Sequence, residues 1–439
     1  MKPFKFYLVT DTHYFEPSLG ASGAAYNEYM KKEQYFMAES SDIVKTVFGK
    51  IADDTETEYV LIPGDLSKNG EIESHKSFIK ELYKLKDSGK KIFVITAGHD
   101  YNDKSRAFLG DECIDVEGTP FKMLPELYKD FGYSQALEID DKTFSYVAEI
   151  ADGLRLLAIN CDGEGNPKGA IDDRLTEWIK LQLDKAKSAG CEVIAMCHYP
   201  VIPPVPVFDL IGDARLRNWR DAAAFLADNG VRLVLTGHMH IQSINKFTSE
   251  KGNTIVDICT AGLVGSPAKY RKILLDDKQI KVESIDVPDF RAETSEVEVS
   301  ELFDSQFMYS IKNRIDGIFD GGGFAKKVGR KILNGITVGA VGRLLFVRVD
   351  KSLKKRKLLD LAGEVGVAVF AGDQPYVCGT PVGDAFSSAL NRLGFILKKL
   401  EPKLSKNGVE INLKQMLLNT IGNNKGYSDN NVEIELKND

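Results

Sequence analysis

The chain of 439 residues is too long for one ordinary core and calls for two domains, three at most. With 43% hydrophobic and 28% charged residues it has a globular composition, and 38 glycines and 15 prolines without a period exclude collagen-like or disordered writing. A formal net charge of -7 leaves no overall basic field, which argues against a protein that coats nucleic acid.

The run Phe4 to Val9 is too short, and too soon followed by Asp11, to serve as a signal peptide, so it reads as a first strand. No stretch approaches the ~18 to 20 apolar residues of a membrane span, and the expected location is the cytoplasm. Further short apolar runs follow at 59–62, 92–95, 154–159, 193–196 and 233–235, and most lead into a loop bearing His or Asp. Additional strands are expected at 254–258 and in the pair 272–275 and 280–283, whose turn is Asp276 to Gln279. This alternation with amphipathic stretches is α/β writing. Near residues 286–302 the pattern loses its period and turns acidic, which marks a boundary between a domain at 1–290 and another at 300–439. The second domain is expected to be mainly helical, from apolar spacing over 303–345, 352–371 and 382–403, with breaks at Gly321-Gly322-Gly323 and Gly379-Thr380-Pro381. Its basic run Lys351 to Lys357 reads as a solvated helix face. Six scattered cysteines without CxxC spacing read as reduced, mostly buried thiols.

Of the six histidines, five (His13, His99, His198, His238 and His240) follow predicted strands; His75 does not. Chance placement would not gather five on one predicted sheet edge, where open α/β sheets collect ligands. Asp11-Thr12-His13 offers a carboxylate and an imidazole at alternate positions, able to grip one ion if the segment is extended. In Gly64-Asp65 the glycine admits close approach and the carboxylate can bridge two cations. His198-Tyr199-Pro200 and Gly237-His238-Met239-His240 add three imidazoles.

In this order and spacing the motifs resemble the calcineurin-like metallophosphoesterase family over about residues 4 to 285. The resemblance implies a four-layer αββα sandwich with a two-metal centre between its sheets, and the helical extension is similar to one in bacterial cyclic-nucleotide phosphodiesterase relatives. Carried over by position, Asp11, His13, Asp65 and His240 are the expected ligands of one ion, and Asp65, His198 and His238 those of the other. His99, held by Asp100, is the expected general acid. Where the family has an asparagine ligand this chain has Gly98, so the second ion loses one ligand and bound phosphate one polar neighbour. An added water, a reach by Asn102, or a silent site would each answer that loss.

The expected activity is phosphoester hydrolysis by hydroxide attack at two divalent or trivalent ions, manganese, iron or zinc, with the second site weaker. A small phosphoester is the expected substrate, a phosphodiester such as a nucleotide or cyclic nucleotide among the candidates. Tyr14, Phe15, Tyr26, Tyr29, Tyr35 and Phe36 could roof the site and stack a base, or simply pack a lid. Arg215, Arg217 and Arg220 could clamp phosphate, or make surface ion pairs. The opposing reading is a non-catalytic binding protein that keeps the fold. Oligomeric state is not legible.

Overall fold

The computed structural model describes residues 2–163, 168–292, 295–297, 299–317, 334–405 and 410–436. In chain order its strands are β1 (Phe4–Leu8), β2 (Tyr59–Pro63), β3 (Lys91–Ile95), β4 (Lys104–Leu109), β5 (Glu112–Glu117), β6 (Ala136–Ile139), β7 (Tyr146–Ala151), β8 (Leu154–Ile159), β9 (Glu192–Cys197), β10 (Leu233–Thr236), β11 (Ser243–Thr248), β12 (Thr254–Cys259), β13 (Lys269–Leu275), β14 (Gln279–Asp286), β15 (Phe290–Ala292), β16 (Ser295–Val297) and β17 (Val432–Glu435). Two mixed sheets result. One has the order β17-β14-β13-β1-β2-β3 and the other β11-β12-β10-β9-β8-β7-β6, while β4-β5 and β15-β16 form separate hairpins.

The runs read as buried strands are apolar throughout because both faces are covered. In β8, Leu156 and Ala158 join the large core between the layers, while Leu157 and Ile159 join the core under the second sheet's helices. The same alternation sends Ile194 and Met196 one way and Ala195 and Cys197 the other. On the first sheet's side, the helix Ser40–Asp53 buries Ile43, Val44, Val47, Phe48 and Ile51, a stripe at helical spacing. On the second sheet's side, the helix Asp173–Ser188 buries Leu175, Ile179 and Leu183, and the Asp172 carboxylate caps it by accepting from the Leu175 N–H at 2.8 Å. The expected α/β sandwich is therefore present.

The C-terminal part is mainly helical, with helices at Val299–Gly317, Val338–Leu344, Leu358–Phe370, Pro381–Arg392, Gly394–Leu404 and Leu413–Ile421. Residues 318–333 of the expected 303–345 stretch, including Gly321-Gly322-Gly323, lie outside the described residues. The basic run at 351–357 departs from expectation: it forms a turn that leads into the helix starting at Leu358.

A second departure concerns the clean division at 290. The chain returns to the first sheet, where β17 pairs antiparallel with β14, Gln279 opposite Glu435. Arg271 of β13 is fully buried and donates to the carbonyls of Asp429 and Cys259 and to the Thr260 hydroxyl. The Asp429 carboxylate accepts from the Ile244 N–H at 2.8 Å. One buried guanidinium thus links both sheets to the C-terminal segment, satisfying its donors on fixed carbonyls. Among the described residues, no helix is long and apolar enough to cross a membrane.

None of the six cysteines is in a disulfide; Cys161, Cys197 and Cys259 are buried, but Cys113 and Cys378 are exposed, so burial is less general than expected.

Candidate metal centre

The candidate residues come from facing edges of two sheets rather than from one edge of one sheet. β1, β2 and β3 lead to Asp11 and His13, to Asp65, and to His99 and Asp100; β9 and β10 lead to His198 and to His238 and His240. The alternation argument for Asp11 and His13 also needs correction, since neither is extended. Asp11, His13, Asp65, His238 and His240 all have positive φ, between 36° and 70°. Side chains other than glycine adopt this region at a cost of about 1 kcal/mol or more apiece, and such strain concentrates at functional sites.

Two clusters form. The ligand atoms of Asp11, His13 and His240 lie within 4.8 Å of one another, as do those of Asp65, His198 and His238. In the first, His13 Nε2 and His240 Nε2 approach to 3.0 Å, and His240 Nε2 stands 3.2 Å from Asp11 Oδ1. Asp65 Oδ2 is 3.0 Å from His198 Nε2 and 3.9 Å from His13 Nε2, so it stands between the clusters. Burial alone would raise the Asp11 carboxyl, but His240 and His198 bring it down to about 2. Burial likewise opposes charge on Asp65, but His198, His99 and His13 together hold it well below the usual carboxylate range. Burial opposes charge on His198 as well, yet Asp65 and Asp11 lift it to about 10, whereas burial pushes His238 down to about 4.

The donor set fits metal ions by its hydrogen bonds. His198 Nδ1–H donates to the Pro63 carbonyl at 2.8 Å, so Nε2, which faces Asp65, is the nitrogen that would ligate an ion once the ion displaces its proton. His238 Nε2–H donates to the Asp213 carbonyl at 2.6 Å, leaving Nδ1 directed at the cluster, 3.3 Å from His198 Nε2. Outer carbonyls that fix the tautomer are the usual support of imidazole ligands. Nitrogen and carboxylate donors of this mix suit manganese, iron or zinc alike. Tyr35, one of the rings expected to roof the site or pack a lid, stacks on His13 at 4.8 Å; Gln34, whose side-chain amide meets His240 Nδ1 at 3.0 Å, carries no such signal in the sequence.

His99 adjoins both clusters: its backbone N–H donates to Asp65 Oδ1 at 3.1 Å, and its ring lies edge-on to His13. Asp100 does not hold this ring. The Asp100 oxygens accept from the Ser67 and Ala97 N–H groups, pinning the loop, while His99 Nδ1–H donates to the Lys68 carbonyl at 2.9 Å. Burial lowers the His99 pKa and raises that of Asp100 to about 8. His75, the exception among the histidines, is buried between the Asp100 carbonyl and the Tyr128 hydroxyl.

A cleft of about 260 Å³ opens over the second cluster, lined by Asp65, Gly98, His99, Lys168, His198 and Arg217 among others. Asn102 lines a different pocket, beside Lys68 and Asn69. The arginines divide: Arg215 and Arg217 line the cleft, the first paired with Asp209 and the second beside Asp213, whereas Arg220 pairs with Asp209 outside it. The aromatic insertion packs as a lid. Tyr14, Phe15 and Tyr35 are buried, and Tyr26 and Tyr29 contact Phe108, so these rings are committed to one another and to the core.

A curated relative, a probable cyclic nucleotide phosphodiesterase of Rhodococcus erythropolis, is 32% identical over 97 residues. That match spans 22% of this chain and 31% of the relative. A dimetal phosphatase from Danio rerio aligns over 68% of this chain and 98% of its own, at 12% identity and a TM-score of 0.47. The purple acid phosphatase of yellow lupin aligns over 66% of this chain and 52% of its own, at 12% identity and a TM-score of 0.40. The model of the calcineurin-like phosphoesterases matches residues 4–242, a span of more than half the sequence that contains every residue of both clusters, and the chain belongs to that family.

Proposed function

We propose that this chain is a metal-dependent phosphoester hydrolase whose centre consists of Asp11, His13 and His240 for one ion and His198 and His238 for the other, with Asp65 shared. The carrying observation is the position of Asp65 Oδ2 between two imidazole clusters, 3.0 Å from His198 Nε2 and 3.9 Å from His13 Nε2. The chemistry that bound ions supply is polarisation of phosphoryl oxygens and a lowered pKa for water. Manganese, iron or zinc would serve.

The protein's own groups do the rest. His99 cannot rotate freely, because its Nδ1–H is committed to the Lys68 carbonyl; Nε2 is left to carry a proton to the departing oxygen. Asp100 acts on the loop that presents His99, and so positions it. Each cation lining the cleft stands near an acid, Arg217 3.7 Å from Asp213, Arg215 3.4 Å from Asp209, and Lys168 near the buried Asp162 without an ion pair to the described residues. These acids offset much of the positive charge, which suits the single charge of a diester better than a monoester dianion. Of the diesters, the relative's name points to a cyclic nucleotide as the first to assay. We assign the hydrolase unit to residues 1–290 and treat residues 300–439 as a mainly helical unit clamped to it.

Hydrolysis of bis(p-nitrophenyl) phosphate with manganese, compared between the native chain and Asp65→Asn, tests this reading. The variant should lose about 10³-fold or more in rate together with bound metal. Equal rates would remove the hydrolase assignment.

A further inference from the structure

The absence of a side chain at Gly98 is matched by something that occupies its space. A Cβ built at Gly98 would stand 2.8 Å from Lys168 Nζ, 3.1 Å from Lys168 Cε and 3.6 Å from Asp162 Oδ2. These are its nearest neighbours outside its own stretch of chain, and φ at Gly98 is not in the left-handed region, so backbone freedom does not explain the glycine. The space is taken by an ammonium group.

The arrangement is held from several sides. The Gly169 N–H donates to the Cys161 carbonyl at 3.2 Å, and the Gly169 carbonyl accepts from the Arg217 N–H at 2.9 Å, so the backbone beside Lys168 is tied to the cleft wall. Gly169 has φ of 69°, and a Cβ there would press the Tyr199 ring at 3.3 Å. Asp162 is 1% exposed; its Oδ1 accepts from the Tyr199 hydroxyl at 3.3 Å, while its Oδ2 is buried without a hydrogen-bond partner. Burial raises the Asp162 carboxyl and the Lys168 charge draws it back, so the carboxylate and the ammonium feel each other across the space beside Gly98. Lys168 Nζ itself makes no hydrogen bond or ion pair to the described residues, and the side chain lines the same cleft as Asp65, His99 and His198. A buried acid attracts the ammonium inward, and its donors remain available to an incoming anion.

We propose that Lys168 is a substrate-contacting residue of this cleft, its ammonium donating to a non-bridging phosphate oxygen from the space that Gly98 leaves open. Gly98 is then a requirement of the lysine rather than a loss. This rests on the phosphoesterase reading above and adds to it the group that reads the phosphate.

The test measures binding of manganese and then of inorganic phosphate by calorimetry, with no turnover involved. Lys168→Met, a change at an exposed position, should leave the melting temperature and the manganese count unchanged and weaken phosphate roughly tenfold. Gly98→Ala adds only a methyl group that pushes against the ammonium; it should weaken phosphate severalfold in the native background and have no effect in Lys168→Met. Additive effects of the two changes, or phosphate binding by Lys168→Met within twofold of native, would overturn the assignment while leaving the metal centre standing. A native chain that takes up neither manganese nor phosphate would overturn both.

Discussion

The two ligand clusters differ in how they are closed. Asp11, His13 and His240 are all buried, with Tyr35 stacked over His13 and the Gln34 amide against His240. Asp65, His198 and His238 lie at the floor of a cleft, and His238 is held from outside by the Asp213 carbonyl on the cleft rim. Under the proposed function the closed cluster would retain an ion and the open one would meet the substrate. Burial would then separate two tasks that the ligand types alone, histidine and aspartate in both, do not distinguish.

Single substitutions should break this asymmetry most strongly. His240→Ala is expected to abolish activity and strip the closed site, whereas His238→Ala should leave one ion bound and retain residual hydrolysis; metal content and rate measured together decide it. Equal metal loss in both variants would show that the clusters do not bind separately. The next effect in size is His99→Ala. It should slow esters with poor leaving groups by about 10² to 10⁴-fold and p-nitrophenyl esters far less, because only the former need a proton. A uniform loss over both substrates would make His99 a structural group.

Gly237→Ala sharpens the comparison from the closed side. A Cβ there would meet Thr10 Oγ1 at 2.2 Å and Asp11 Oδ2 at 2.4 Å. The change should cost about 2 kcal/mol of stability by overpacking and loosen the first ion, measured by thermal melts with and without manganese.

The pH dependence of stability belongs to the scaffold behind the open side. Asp257 accepts from the Thr236 hydroxyl and the Ile202 N–H, and burial raises its pKa from the usual 3.8 to about 7. The folded state therefore holds a proton that the unfolded state releases between these values. Its stabilising effect is full below about 3.8 and is lost as pH rises toward 7. Asp257→Asn should flatten the fall in stability over that window; an unchanged slope in urea melts would place the titration elsewhere.

How far the sequence carried follows from what makes each element. β1, β2, β3, β8, β9 and β10 were legible because strands covered on both faces are written as continuous apolar runs, and the acid or imidazole that follows each stands out. β5 and β6 expose much of their length, and β17 is a four-residue strand that alternates apolar residues with glutamates, so none carries that signal. The residues Asp11, His13, Asp65, His198, His238 and His240 could be gathered from motifs, but not their division between two sheets, which depends on strand pairing. The support of His99 was misassigned because a backbone carbonyl, that of Lys68, leaves no trace in side-chain identity. Lys168 was passed over for a related reason: a lone lysine after a strand is ordinary until the empty volume beside Gly98 is seen.

The pairing of β17 with β14 has a bearing on biosynthesis. The sheet that presents Asp11 and Asp65 is bordered on one side by residues 432–435, more than four hundred positions after its first strand. A ribosome must therefore deliver nearly the whole described chain before that border is covered, and until then β14 offers unpaired N–H and C=O groups to any neighbouring polypeptide. The nascent protein thus passes through a period of adhesiveness that ends when β17 pairs with β14.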